Sequence, residues 1–287
     1  MAEPNPVERE FGVPFPGRVL GPDRWTQTAL KAVPPGHLNW RELFGRTAPP
    51  SPRGLSPAEP GFTAAPPSPR GLSPAEPGFT AAPVVLDVGC GNGRYLIGSA
   101  LARPDHDHLG VDVLPVVIRY ARKRGNQRGL GNLKFAVLGG RELLADHVAP
   151  GSVAEVHCYH PQPFYDPAKV HLRLVTPAFV ASVHRALPPG GTFVIQTDNP
   201  GYWKYIRAVV PVFFEFRELS GKWPDAPRGR TRREIVAMQK GLPVFRAEAV
   251  TYAHLTLPTN QRVAISGVPV SLTDHVAPGS VAEVHCY

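Results

Sequence analysis

The chain predicts an α/β fold, a doubly wound and mostly parallel sheet with helices on both faces. Three observations carry that expectation: short β-rich runs alternate with helical stretches, the first run ends in a glycine-rich turn that opens a helix, and the second ends in a carboxylate. The first strand is expected at Val84 to Val88, with a helix from about Gly93 to Ala102. A second strand near His108 to Val111 is followed by a helix from about Pro115 to Arg124. Strands at Lys134 to Val137, Val153 to Tyr159 and Thr192 to Thr197, with a helix at Pro177 to Ala186, continue the alternation. Ligands of such sheets lie beyond the carboxyl ends of the strands, which directs attention to the turn after Val88 and the end of the second strand.

With 287 residues, 43% of them apolar, the chain can bury one large core or two modest ones. It contains no uninterrupted apolar run of about 18 residues or more, as a membrane span requires. The start, MAEPNPVEREFG, lacks the basic residues and apolar run of a secretory signal, so a cytoplasmic protein is expected. Cys90, Cys158 and Cys286 have no metal-ligand spacing and are odd in number, which argues for reduced thiols, with no metal site and no disulfide framework. A formal charge of +8 suits a polyanionic partner.

Four segments are expected. Residues 1–49 form a flexible N-terminal arm, in which NWRELFGRTAPP reads as a short helical turn. Residues 50–83 form a proline-rich linker: PSPRGLSPAEPGFTAAP from Pro50 to Pro66 recurs unchanged from Pro67 to Pro83, and with so many prolines neither copy can hold a helix or bury a core. The folded domain spans 84–250, and 251–287 is a C-terminal extension. The extension ends in a second copy of DHVAPGSVAEVHCY, which occurs at Asp146 to Tyr159 and again at Asp274 to Tyr287. The first copy carries a buried-strand pattern at Val153, Val156 and Cys158, followed by the His160-Pro161 break. Perfect identity of the two copies points to a recent genetic event rather than to selected function.

The strongest local signal is Asp87-Val88-Gly89-Cys90-Gly91-Asn92-Gly93, where missing side chains let a ligand approach the backbone. A dinucleotide fingerprint would place its third glycine at 94, which is Arg94. The order D-x-G-x-G-x-G instead resembles the first motif of class I methyltransferases, which have a Rossmann-like sheet, and the cofactor so implied is S-adenosyl-L-methionine. In that family the acidic residue, here Asp87, lies near the methionine moiety, while the turn of Gly89, Gly91 and Gly93 accommodates the nucleoside. Asp112, ending LGVDV, could accept hydrogen bonds from the two vicinal ribose hydroxyls. The plainer readings are a tight turn without ligand and, for Asp112, a strand-end cap.

From Trp40 to about Arg246, the proline-rich insertion set aside, the chain resembles the tRNA (guanine-N7) methyltransferases. The resemblance rests on WRELFGRTAP, VVLDVGCGNGRYL, GNLKF, RLVTPAF, LPPGGTFVIQTDNPGYW, TRRE at Thr231 to Glu234, and GLPVFR at Gly241 to Arg246. Such an insertion is tolerable, because each doubling of a surface loop costs only about 0.6 kcal/mol. The resemblance implies methyl transfer to N7 of a tRNA guanine at position 46, with tRNA as partner. It also implies substrate contacts at Phe164, Asp166, Asp198, Thr231 and Glu234, and adenine contact at Gly139. Three positions depart from the family pattern. Gly139 stands where the family has an aspartate near the adenine, Gln162 stands where PDPW has its catalytic aspartate, and Asp166 replaces a lysine.

Guanine N7 carries a lone pair and no proton, so attack on the sulfonium methyl needs positioning rather than a general base. Gln162 keeps a carbonyl oxygen for a guanine N–H but loses the negative charge. Other readings stand beside these: Gln162 and Phe164 as a proline-braced loop, Asp198 as a cap for Asn199-Pro200, and Thr231 with Glu234 as a capping box. The basic runs Arg119 to Arg128 and Arg228 to Lys240 could track an RNA backbone, with Tyr202, Trp203 and Phe164 stacking a displaced base, or could be solvated helix faces. Two rival functions remain: a methyltransferase of the same fold acting on another substrate, and a non-catalytic RNA-binding paralogue.

Overall fold

The computed structural model describes residues 7–45, 82–252, 264–265 and 268–269. The chain forms two compact units, 1–254 and 255–287. Most of the duplicated linker, through residue 81, and the second DHVAPGSVAEVHCY copy with Cys286 lie outside the described residues.

Residues 7–45 begin with an antiparallel ribbon of β1 (Arg9–Glu10) and β2 (Val13–Pro14). They end in α1 (Trp40–Phe44), where Asn39 accepts from the Glu42 N–H and Gly45 closes the helix in the left-handed region. The expectation of a flexible arm is corrected here, because this stretch is anchored along the domain. Phe15 is only 3% exposed, and the guanidinium groups of Arg124 and Arg128 lie 4.4 and 4.6 Å from its ring centre. Glu8 accepts from Arg124 Nε at 2.7 Å and from an Arg128 nitrogen at 2.8 Å, and Glu10 pairs with Arg94 at 3.3 Å. Two members of the first basic run are thereby used in holding the arm and are not free for RNA.

The main sheet is built from β3 (Val84–Val88), α2 (Arg94–Ala102), β4 (Asp107–Asp112), α3 (Pro115–Gln127), β5 (Leu133–Val137), and the short α4 (Gly140–Glu142). It continues with β6 (Glu155–Tyr159), α5 (Pro177–Ala186), β7 (Thr192–Thr197), α6 (Pro200–Val209), β8 (Glu215–Leu219), α7 (Arg232–Gln239) and β9 (Phe245–Val250). The strand order is β5-β4-β3-β6-β7-β9-β8. Strands β3 to β7 pair in parallel and β9 runs antiparallel to both β7 and β8. The alternating strands and helices expected from the sequence form this sheet, and the β9 and β8 edge is an addition to them. In the second unit, β10 (Ala264–Ile265) pairs antiparallel with β11 (Val268–Pro269).

Registers divide the sheet into two faces. Val85, Asp87, Gly110, Phe135, His157 and Val194 share one face, because paired residues in parallel neighbours point the same way. There α2 and α3 bring Leu96, Ile97, Ile118 and Ala121 onto Leu133 and Phe135. On the other face Phe193 meets Phe179 of α5 and Phe214. The edge of β5 is covered: Phe135 N–H donates to Thr28 O at 2.7 Å, and Leu30 N–H donates back to Phe135 O at 2.9 Å. An exposed edge is a template for unwanted pairing, and this contact removes it. The order reverses between β3 and β6, which opens a crevice at their carboxyl ends.

Candidate active site

The turn after β3 holds Gly89, Gly91 and Gly93 at φ +77°, +52° and +78°, a region that glycine enters without steric cost. Their tasks differ. A Cβ on Gly89 or Gly91 would meet nothing within 4 Å, so both present open backbone. A Cβ on Gly93 would lie 2.8 Å from Phe135 Cζ and 3.0 Å from Ala121 Cβ, so Gly93 is where α2 closes onto the sheet. Arg94 does not crowd this contact, because its side chain turns to Glu10 and the Pro14 carbonyl.

Asp112 closes the turn from the next strand. Its Oδ2 accepts from the Gly91 N–H and its Oδ1 from the Leu114 N–H, both at 3.0 Å. The cap reading therefore holds, yet each carboxylate oxygen keeps a second acceptor site for a ligand hydroxyl. Burial raises the Asp112 carboxyl above its ordinary range against these N–H groups. Asp87, 2% exposed, has an Oδ1 with no hydrogen-bond partner. Burial, and then the charge of Asp112, push its carboxyl well above the carboxylate range. A buried acceptor without a partner is costly, and a cationic or hydrogen-bonding ligand relieves it. These residues fit S-adenosylmethionine: an orphaned acceptor, two open glycines and a strand-end carboxylate lie together at the carboxyl ends of β3 and β4.

In the turn after β5 the glycine demanded by packing is Gly140, whose Cβ would fall 2.0 Å from Val88 Cγ1. Gly139 is extended at φ −71°, and a Cβ there would lie no closer than 3.7 Å to its neighbours. A side chain fits at 139, so nothing in the packing accounts for the missing aspartate.

The segment after β6 is bracketed by two non-glycine residues at positive φ, His160 at +51° and Phe164 at +40°. Strain of this kind persists only where the surroundings enforce it. Arg173 enforces it at one end, donating to Pro163 O at 2.6 Å and Phe164 O at 3.2 Å. At the other end Trp223 Nε1 donates to Gln196 Oε1 at 2.6 Å, and Gln196 Nε2 lies 2.8 Å from His160 Nε2. Indole nitrogen only donates, so the Gln196 amide must donate onward, leaving His160 with its proton on Nδ1, 3.1 Å from Asp198 Oδ1. Arg233 holds the other Asp198 oxygen at 2.8 Å. Burial opposes charge on Asp198, but the His160 hydrogen bond and the Arg233 charge hold its carboxyl down at about 2.

Within this frame Gln162 is exposed, three residues beyond the end of β6. Asp166 accepts from the Ala168 N–H at 3.0 Å and caps the turn at Pro167–Leu172. Thr231 Oγ1 accepts from the Glu234 N–H at 3.1 Å, which caps α7. Glu234 is 0% exposed, with one oxygen on the Arg230 N–H at 2.8 Å and the other 2.5 Å from Arg246. Both Glu234 oxygens are thus engaged inside the protein, so the expected direct contact at Glu234 is corrected to support of the loop. Stacking by Tyr202 and Trp203 is corrected likewise: both are buried, Tyr202 beside the Val175 N–H and Trp203 against Phe245. The exposed aromatic near this loop is Tyr165, 75% exposed, whose hydroxyl meets Asn199 Nδ2.

Sequence reasoning missed His160, Gln196 and Trp223, and Arg230, expected in the basic run from Arg228 to Lys240, instead lies 3.6 Å above the Trp223 ring and donates to Tyr159 OH at 3.0 Å. No local motif marks these contacts, which join residues far apart in the chain. Among the described residues no group of His, Cys, Asp and Glu could hold a metal ion, and no helix is long and apolar enough to cross a membrane.

Comparison with known proteins follows the same lines. A family model described as "Putative methyltransferase" matches residues 81–247, more than half of the chain. The tRNA (guanine-N(7)-)-methyltransferase of Alkalilimnicola ehrlichii is 31% identical over 166 residues, which cover 56% of this chain and 69% of that protein. The proteins of the same name from Nitrosococcus oceani and Pseudoalteromonas atlantica are 32% and 30% identical, covering 56% and 72% of this chain and 68% and 72% of their own lengths. Among solved structures, a 16S rRNA (adenine(1408)-N(1))-methyltransferase from Catenulisporales acidiphilia aligns with a TM-score of 0.44 at 17% identity, over 62% of this chain and 89% of that one. The chain belongs to the tRNA (guanine-N7)-methyltransferase family.

Proposed function

We propose that the protein is an S-adenosylmethionine-dependent methyltransferase that modifies N7 of a tRNA guanine, with guanine 46 as the position and the cytoplasm as the compartment. The observation that carries the reading is the buried, partnerless Oδ1 of Asp87 beside the open backbone of Gly89 and Gly91. Family membership supports it. When bound, S-adenosylmethionine supplies an electrophilic methyl group on a sulfonium centre. Asp87 holds the cationic methionine end, Asp112 accepts from the ribose hydroxyls, and the Gly139-Gly140 backbone borders the adenine.

The residues beyond β6 orient the base. Gln162 offers its carbonyl oxygen to a guanine N–H, and Phe164 flanks the base within a segment that Arg173 and His160 hold rigid. Asp198 supplies the fixed negative charge next to this segment, while Thr231, Glu234 and Asp166 act through the loops they cap. Because N7 attacks with its own lone pair, alignment of base and methyl is the catalytic requirement, and no proton need leave in that step. The missing carboxylate at 162 lowers the electrostatic stabilisation of the cationic base.

Incubation of the protein with labelled cofactor and unmodified tRNA, followed by nucleoside analysis, tests the reading. N7-methylguanosine, lost when guanine 46 is replaced by adenine, is expected. One observation favours a second reading, a non-catalytic RNA-binding paralogue: the segment 161–164 carries no charge, and both oxygens of Asp198 are engaged. Tight binding of cofactor and tRNA with no transfer selects it.

A further inference from the structure

The basic run on α3 divides into two sets. Arg124 and Arg128 are spent on Glu8 and Phe15. Arg119, Arg122 and Lys123 lie on another side of the helix, and among the described residues none of them has an ion-pair partner. They line a groove of about 700 Å³ between α3 and the N-terminal segment, together with Trp25, Val116 and Val137. Three features give this groove a binding character. Its cations at 119 and at 122 and 123 are about one helical turn apart, their backbone positions separated by roughly 4.5 to 6 Å along the helix axis. Its wall carries Trp25, 44% exposed, whereas the other tryptophans, Trp40, Trp203 and Trp223, are buried. Its position borders Asp112, because Val137 is the register partner of Asp112 across β4 and β5.

The wall is also held in place. Leu20 N–H donates to Gln127 O at 2.8 Å, Thr26 N–H to Asn126 O at 3.2 Å, and Trp25 Nε1 to Leu20 O at 2.9 Å, so the indole is fixed facing α3. A rigid exposed aromatic opposite a row of unpaired cations matches the chemistry of single-stranded nucleic acid, a base stacking on the ring and phosphates meeting the cations. We propose that this groove is a second docking site for the RNA substrate, which takes an unpaired segment outside the methyl-accepting base through Trp25, Arg119, Arg122 and Lys123. The inference rests on the tRNA reading of the active site and adds to it a separate surface that sets RNA affinity.

Two measurements on the full chain test it. The first compares wild type with an Arg119→Gln, Arg122→Gln, Lys123→Gln variant for tRNA binding by anisotropy across a salt series, for methyl transfer, and for cofactor binding by calorimetry. The variant is expected to raise KM for tRNA at least tenfold, to reduce the slope of log K against log salt by roughly 2 to 3, and to leave cofactor affinity unchanged. Neutralising Lys204, exposed on α6, serves as the charge control and should change neither KM nor slope. The second measurement is tryptophan fluorescence: unmodified tRNA should quench emission in wild type and not in Trp25→Phe. An active wild type whose triple variant keeps its KM and salt slope, or whose quenching survives Trp25→Phe, overturns the groove alone. Loss of binding to an acidic polypeptide, with tRNA binding intact, assigns the groove to a protein partner and also overturns it. A wild type that neither binds nor methylates tRNA overturns the active-site reading, and the groove's assignment falls with it.

Discussion

Asp112 braces the Gly91 and Leu114 N–H groups, and a single substitution tests the ribose contact proposed for its remaining acceptor sites. Asp112→Ala is expected to weaken S-adenosylmethionine binding by at least tenfold, since a hydrogen bond to a charged group is worth about 1.5 to 3 kcal/mol. Calorimetry checks this, and unchanged affinity would remove Asp112 from the site. Asp198 carries a pH signature instead. An ordinary aspartate titrates near about 3.9, and in the folded chain Asp198 titrates at about 2. Its stabilising contribution is therefore fully present above about pH 4 and is lost as pH falls from there through 2. Asp198→Asn should be less stable at neutral pH but flatter across that window in a melting series; parallel curves would contradict the pairing with His160 and Arg233. At this scale the glycine turn and Asp112 were legible in the sequence because their spacing is local. The His160, Gln196 and Trp223 chain was not, because its members come from the segment after β6, from β7 and from the loop before α7.

Elements were legible where burial imposes a pattern. Strand β3 is buried at every position and reads as a continuous apolar run broken only by Asp87, and β7 is nearly so. Strand β8, EFREL, is largely exposed at the sheet edge, so no core selects its residues and it left no readable pattern. The N-terminal arm was misread for a related reason: its anchors are scattered side chains, Glu8, Glu10, Phe15 and Thr28, whose partners lie far away in sequence. Phe15→Ala should show how much the arm contributes. Loss of a buried phenyl ring clamped by Arg94, Arg124 and Arg128 is expected to cost about 3 to 5 kcal/mol in denaturant unfolding. A cost below about 0.5 kcal/mol would mean that the arm is a passive appendage. The duplicated linker should behave in the opposite way. Deleting Pro50 to Pro66 removes one of two identical copies and changes loop closure by about 0.6 kcal/mol or less, so the melting temperature should move by only a few degrees. A drop of ten degrees or more would assign the repeat a structural task.

On the scale of the whole molecule, the order reversal between β3 and β6 places the turn of Gly89 and Gly91, the end of Asp112's strand and the segment with Gln162 at one end of the sheet. The net charge of +8 is not spread evenly in effect: arginines 94, 124, 128, 230, 233 and 246 are engaged in internal pairs, and those left free on α3 face the groove beside that crevice. The role of Gln162 in methyl transfer is tested by single-turnover reaction with unmodified tRNA for wild type, Gln162→Asp and Gln162→Ala, with identification of the methylated nucleoside. N7-methylguanosine is expected from wild type, with an equal or faster rate for Gln162→Asp because a carboxylate stabilises the cationic base, and a slower rate for Gln162→Ala with cofactor affinity unchanged. Tight cofactor binding with no transfer by any of the three, or a methyl group on a different atom, would contradict it.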